Sequence, residues 1–218
     1  MNVPQIRRVA DILCLLALAL TGCTQVIDTP PKVTPPVAPI TAGQVGDLLS
    51  PGVAKYDGNL FSTVEPEDCS GVATEVDPPF IFDFDPAAHS GGHWMVEDVG
   101  RQVYIEEMVA VYPADYDAKT ALAQAKRTLQ SCQDVPFTVT DMKGRSYHFA
   151  LLAPVTSDSP NILLWSFRAD DWACDSTFVA AHNAAIEIST CGPVGGYPVG
   201  TLADDALNRI ERLVNTTA

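Results

Sequence analysis

The chain has no C-x-x-C pair, no G-x-S-x-G elbow and no second long apolar run after its first twenty residues. Basic residues are scarce: 13 Lys and Arg stand against 27 Asp and Glu, a formal net charge of -14. Each absence excludes something. Without C-x-x-C, the usual zinc-ribbon spacing is missing, and no metal or cofactor is expected. Without the elbow, no serine is framed as a nucleophile, and no hydrolase activity is expected. Without a later apolar segment, no transmembrane helix is expected downstream of the start. A surface this acidic repels phosphate backbones, so nucleic acid is not expected as a partner.

What is present begins with an export signal. Arg7-Arg8 precede an apolar run from Ile12 to Leu20, too short to span a bilayer but the length of a signal-peptide core. Leu20-Thr21-Gly22-Cys23 then resembles the bacterial lipobox, in which the Cys thiol takes a diacylglycerol and becomes the first residue of the mature chain. Residues 1–22 are therefore expected to be removed. That takes away Arg7, Arg8 and Asp11 and leaves 11 basic and 26 acidic residues. Acyl chains such as palmitate on Cys23 would then hold the protein on the extracytoplasmic face of the membrane. Residues 24–40 carry Pro30, Pro31, Pro35, Pro36 and Pro39 among small residues, which favours an extended tether.

From residue 41 to 218 the pattern is that of one domain. Thr41-Ala42-Gly43-Gln44 is a capping-box sequence, followed by Val45, Leu48 and Leu49 at helical spacing and stopped by Ser50-Pro51-Gly52. Residues 101–112 alternate as a strand with Val103, Ile105, Val109 and Val111 on one face. Glu107 falls on that same face. Pro113 is expected to open a helix reaching Gln130, with a stripe of Ala118, Leu122, Ala125, Leu129 and Cys132. Strands are expected near Phe137–Asp141, Arg145–Leu152, Asn161–Arg168, Trp172–Ala181 and Ala184–Thr190, antiparallel because their links are short. A last helix near 202–214 has Thr201 for a cap, Leu202, Ala206, Ile210 and Val214 for a stripe, and Arg209 and Arg212 toward its C-terminal end. The expected class is α+β, an antiparallel sheet packed with helices.

Four cysteines follow Cys23, an even number that implies disulfides in an exported protein. If residues 172–190 form a hairpin turning at His182-Asn183, opposed residues have numbers summing to 365. Cys174 and Cys191 satisfy this and face each other at a separation a disulfide can span. Cys69 and Cys132 remain to pair. The same residues carry a resemblance. Cys69 in a Val-Glu-Pro-Glu-Asp-Cys context, the strand Val103–Tyr112, Tyr112-Pro113 before an Ala-rich helix to Cys132, Trp172-Ala173-Cys174 and a hairpin ending at Cys191 resemble the extracellular sensor domain of PknH-type receptor kinases. That domain also occurs in stand-alone lipoproteins, and the resemblance spans roughly residues 41–214. It implies two sequential disulfides and a cleft for an unidentified ligand. The kinase half is missing: no H-R-D and no D-F-G occur here.

Chemistry-bearing residues are few. His89 and His93 stand at i, i+4, but Gly91 and Gly92 argue against a helix, and a solvated loop is expected. His148 and His182 have no partner in the pattern. Glu107 among valines must be paired, protonated or facing a wet cavity, unless a bulge turns it to solvent. Together with Tyr104, Trp165 and Arg168 it makes the expected ligand-binding set, with Glu106 and Phe167 as further cleft-wall residues. The expected function is capture of a small ligand in a cleft. The alternatives are an envelope protein-interaction module and, last, a hydrolase.

Overall fold

A computed structural model describes residues 40–54, 58–98, 100–193 and 197–217. Cys23, the signal and nearly all of the Pro-rich segment lie outside the described residues. Eight strands form one antiparallel sheet: β1 (Phe61–Glu65), β2 (Ala88–Asp98), β3 (Arg101–Val111), β4 (Phe137–Asp141), β5 (Ser146–Leu151), β6 (Ile162–Arg168), β7 (Ala173–Ala181) and β8 (Ala184–Gly192). Their spatial order is β1-β4-β5-β6-β7-β8-β3-β2. Four helices accompany them: the single turns α1 (Ser70–Ala73) and α2 (Pro79–Phe82), then α3 (Ala118–Ser131) and α4 (Val199–Thr217). A 3₁₀ turn over Ala42–Leu48 precedes the sheet, with Gln44 Oε1 accepting from the Thr41 backbone at 2.9 Å.

The period-2 alternation of the strands divides the protein into two layers of core, one on each face of the sheet. On one face Val103, Ile105, Val109 and Val111 of β3 pack with Ile186 and Ile188 of β8 and with Ala203, Ala206, Ile210 and Val214 of α4. The other face gathers Phe137, Phe149, Phe167, Phe178 and Trp165 with α3 and the two short helices. α3 starts later than its sequence pattern indicates. Residues 113–117 form a turn, and Asp117 caps the helix by accepting from the Lys119 backbone at 3.0 Å. α4 likewise begins at Val199, ahead of Thr201.

The β7–β8 hairpin has the expected register. Ala181 pairs with Ala184 across a two-residue turn, and Cys174 stands opposite Cys191. His182 takes the left-handed conformation, φ 53°, that such a turn requires. Cys174 and Cys191 are bonded with their Cα atoms 4.2 Å apart, the close spacing of a non-hydrogen-bonded pair. Cys69 and Cys132 form the second bridge, tying the residue before α1 to the end of α3. With sequence separations of 63 and 17, loop closure favours the folded chain by roughly 4 and 3 kcal/mol respectively in the chain-entropy picture.

Two strands escaped the sequence pattern. β1 is only five residues long. β2 contains the His-Ser-Gly-Gly-His segment expected as a loop, and here the sequence expectation needs correction. The two glycines are not there for flexibility. A Cβ on Gly92 would meet the Ala54 carbonyl oxygen at 2.7 Å, because Ala54 and His93 form a backbone bridge at that point, with N–H···O distances of 2.9 and 3.1 Å. His93 is accordingly buried, 9% exposed, and not solvated.

Candidate functional site

Glu107 shares its face with Val103 and Ile105 as its position dictates, and its burial is resolved by a partner. Its Oε1 accepts from Arg209 Nη2 at 2.6 Å and from the Ser50 hydroxyl at 3.0 Å, while Oε2 accepts from the Ser50 backbone at 2.7 Å. Arg209 Nε donates to the Leu48 carbonyl at 2.7 Å. Burial pushes the carboxyl up, and the guanidinium and the two Ser50 donors pull it back. These bonds join β3, α4 and the end of the 3₁₀ turn. Arg209 is thus a buried counter-ion in mid-helix and not a charge at the helix end. Glu107 is occupied on the α4 side of the sheet.

The other candidates are placed apart from it. Trp165 is buried in the aromatic core, its indole Nε1 donating to the Val72 carbonyl at 2.8 Å and its ring edge-on to Phe80. Arg168 donates to the Cys174 carbonyl, to the Phe167 carbonyl at 2.9 Å and to Asp175 Oδ1 at 2.6 Å, closing the end of the β6–β7 pair. Tyr104 is 40% exposed and stacks on Trp172 with ring centroids 5.9 Å apart. The structure does not bring these four residues together. His148 lies on the exposed side of β5 within 3.1 Å of Thr138 Oγ1, and His182 meets Glu211 at 3.2 Å.

A polar bay does form, on the sheet face opposite Glu107. Alternation sends Glu106 of β3 to that side, and the registers set its neighbours. His93 of β2 and Ser189 of β8 both pair with Glu106, and Glu187 of β8 pairs with Met108. The segment leaving α1 brings Thr74 and Glu75 over this patch. Together they line a cavity of about 460 Å³, with Leu60, Pro78 and Met108 as apolar wall. Glu75 Oε2 accepts from the Phe61 backbone at 2.8 Å. His93 Nδ1 lies 3.7 Å from Glu106 Oε2. Glu187 is 9% exposed, and among the described residues its Oε2 has no hydrogen-bond partner; neither has Thr74 Oγ1.

Electrostatics follow from this crowding. Burial pushes Glu75 up to about 7, against the pull of the Phe61 backbone N–H and the Ser189 hydroxyl. Burial, then the charge of Glu75, pushes Glu106 up to about 9. The same two causes raise Glu187 well above the ordinary carboxylate range. Such a concentration of displaced carboxyls in a cavity is characteristic of functional sites. Among the described residues, no three of His, Cys, Asp or Glu are placed to hold a metal ion.

A second cavity of about 520 Å³ shares Gly58, Glu75, His93 and Glu106 with the first. It extends to Tyr104, Tyr147 and Trp172 and to Lys143 and Arg145. Arg145 sits 4.6 Å above the Tyr147 ring and binds Asp171 at 2.7 Å. Of the residues singled out from the sequence, Tyr104 and Glu106 line this trough. Glu75, Glu187 and His93 were missed as site residues. Glu187 carried a readable sign, a carboxylate in the apolar run Ala184-Ala185-Ile186-Glu187-Ile188, the same anomaly that drew attention to Glu107.

An antiparallel α+β domain with two disulfides and a polar cavity walled by its sheet has the build of an extracellular sensor-type domain. Residues 35–209 match the PknH-like extracellular domain model, and the chain belongs to that family. Among solved structures it is similar to the extracellular domain of PknH from Mycobacterium tuberculosis, with a TM-score of 0.62 and 17% identity over 82% of this chain and 98% of that one. At that identity the likeness is one of fold. CalU16 from Micromonospora echinospora aligns over 58% of this chain and 86% of its own at 9% identity and a TM-score of 0.28, too slight to bear on fold or function. No curated protein sequence matches the chain. No helix among the described residues is long and apolar enough to cross a membrane.

Proposed function

We propose that this protein is an extracytoplasmic lipoprotein whose PknH-like domain captures a small molecule in the cavity between its sheet and the segment that follows α1. The observation that carries this reading is Glu187, a carboxyl nine-tenths buried, with an oxygen that no group among the described residues satisfies, set in a cavity of about 460 Å³. Leaving such an atom unpaired costs about 1–3 kcal/mol, a penalty that a ligand donor would remove. The volume falls within the range of small-molecule sites. One disulfide ties β7 to β8, the strand that carries Glu187, and the other fixes the start of α1, which leads into Glu75; both lower the ordering cost of binding.

Native mass spectrometry of the full mature chain, purified in detergent from its own host, should recover a co-purifying small molecule. Glu187→Ala should lose it while still melting cooperatively. A cavity always empty, with the protein instead cross-linked to one envelope partner, would favour an interaction module. The anchor has its own test, motivated by Leu20-Thr21-Gly22-Cys23. Cys23→Ala should abolish incorporation of labelled lipid and leave an uncleaved or mislocalised precursor. Lipid still entering that variant would remove the lipoprotein part of the proposal.

A further inference from the structure

We infer that the molecule this cavity takes is a cation, an aliphatic di- or polyamine or a guanidinium compound, held by Glu75, Glu106 and Glu187. This rests on the capture reading and names its ligand class. Three carboxylic groups converge on one bay from three elements: Glu75 from the segment after α1, Glu106 from β3 and Glu187 from β8. Among the described residues, no Lys or Arg lines that bay. Of the basic groups nearby, Lys143 of the adjoining cavity lies close enough to Asp141 to help hold that carboxyl low. Arg209 is bonded to Glu107 on the opposite face of the sheet, and Arg145 in the adjoining cavity is bonded to Asp171 and lies over Tyr147.

On β7 and β8 the rest of this sheet face is apolar, hydroxylic or disulfide, with Phe178, Ser176, Ser189 and Cys191. An acidic cluster of this kind in a low-dielectric pocket is stable in two ways only. Either the carboxyls keep their protons, or a cation neutralises them. The unpartnered Glu187 Oε2 decides for a ligand that donates. In its charged form the carboxylate is acceptor-only, so a cation that neutralises it must meet this oxygen with N–H. An ammonium offers three donors and the charge together. Thr74 Oγ1, also unpartnered, can share one of them as acceptor. Leu60, Pro78 and Met108 supply the apolar wall that the methylenes of such an amine would cover.

Among the described residues, the ionisable groups facing the bay are those three carboxyls with His89 and His93 of β2, Glu107 being paired on the other side of the sheet. Binding of a cation draws the carboxyls toward their charged form, so protons leave as the amine enters. That separates this site from adventitious binding at an acidic surface, where carboxylates are already ionised at neutral pH.

The test is calorimetric titration of the full mature chain in detergent at pH 7 with putrescine, spermidine and agmatine, repeated in two buffers of different ionisation enthalpy. At least one amine should bind with a buffer-dependent heat that reports proton release. Glu187→Gln and Glu106→Gln should each weaken it at least tenfold without lowering the melting temperature. Binding unchanged in both variants, or without proton release, means an acidic surface only and overturns the proposal. If all three amines fail while a neutral or anionic molecule co-purifies, the cation class is wrong and the capture reading stands. If the amines fail and nothing co-purifies, both fall.

Discussion

Glu107→Ala is expected to destabilise the domain by about 3–5 kcal/mol, because it leaves Arg209 charged and buried with no anion to meet it. The cost is large because both partners lie deep: the Arg209 and Glu107 side chains are 7% and 0% exposed in their 2.6 Å ion pair. The substitution also strands the Ser50 backbone N–H, which donates to Glu107 at 2.7 Å. For a domain of this size, each kcal/mol moves the midpoint by about 2–4 °C, so melting should fall by roughly 10 °C or more. The sequence alone placed Glu107 at a cleft and would have expected its loss to spare the fold. The structure reverses that expectation. A double replacement, Glu107→Leu with Arg209→Met, should recover most of the loss, since exchanging a whole buried pair for apolar groups is often neutral or better. Thermal and urea unfolding of the two singles and the double complete the cycle. A single variant that loses less than about 1 kcal/mol would show that the pair is solvated and that the three elements it joins hold together without it.

Glu107 also illustrates how far the sequence could be read. Its strand parity was legible, because alternation of Val103, Ile105, Val109 and Val111 fixes which side a residue faces. Its partner was not. Arg209 lies about a hundred residues away on a helix whose rotation about its own axis the pattern could not set. The Cys174–Cys191 bridge was fully legible, since a hairpin register is a local sum of residue numbers and needs no tertiary information. The acidic bay was not. It is assembled from β3, β8 and a segment without periodicity, and Glu75 reaches it only because the Cys69–Cys132 bridge and α1 set that segment's course. β2 was hidden by its glycines, which look in sequence like a loop but serve close approaches, Gly92 to Ala54 and Gly91 to Met108.

Because the bay carboxyls hold protons that the unfolded chain would release, the empty domain should be most stable in mild acid and weaken toward alkaline pH. The sign is fixed by linkage. Glu75 is raised from 4.5 to about 7 and Glu106 from 4.5 to about 9, both chiefly by burial, and burial also holds Glu187 well above the ordinary carboxylate range. Between the lower and upper values the folded state binds more protons than the unfolded one, so stability falls as pH rises. The contribution of each group is complete below about pH 4.5 and is lost as the pH climbs through its folded value. Asp117 is held low instead by the hydrogen bonds it accepts, and Asp141 by bonds from Arg145, Asn59 and Lys143 that together outweigh its burial, so their stabilisation is lost only as pH falls below about 3.8. They do not interfere within the window. The displacement of Glu75 alone corresponds to about 3 kcal/mol at most. Water reaching a half-buried carboxyl in an open cavity reduces that figure. Between pH 5 and pH 9 the melting temperature of the ligand-free protein should drop by about 5–10 °C. Glu106→Gln and Glu187→Gln should each flatten that slope and raise the melting temperature at pH 8, since a neutral amide keeps the shape without the proton equilibrium. This is the behaviour of a site that trades stability for binding, and it is the opposite of what Glu107→Ala should do on the other face of the sheet. A melting temperature that stays level from pH 5 to 9, or that rises, would mean that the three carboxyls are well solvated and the bay is an ordinary acidic surface.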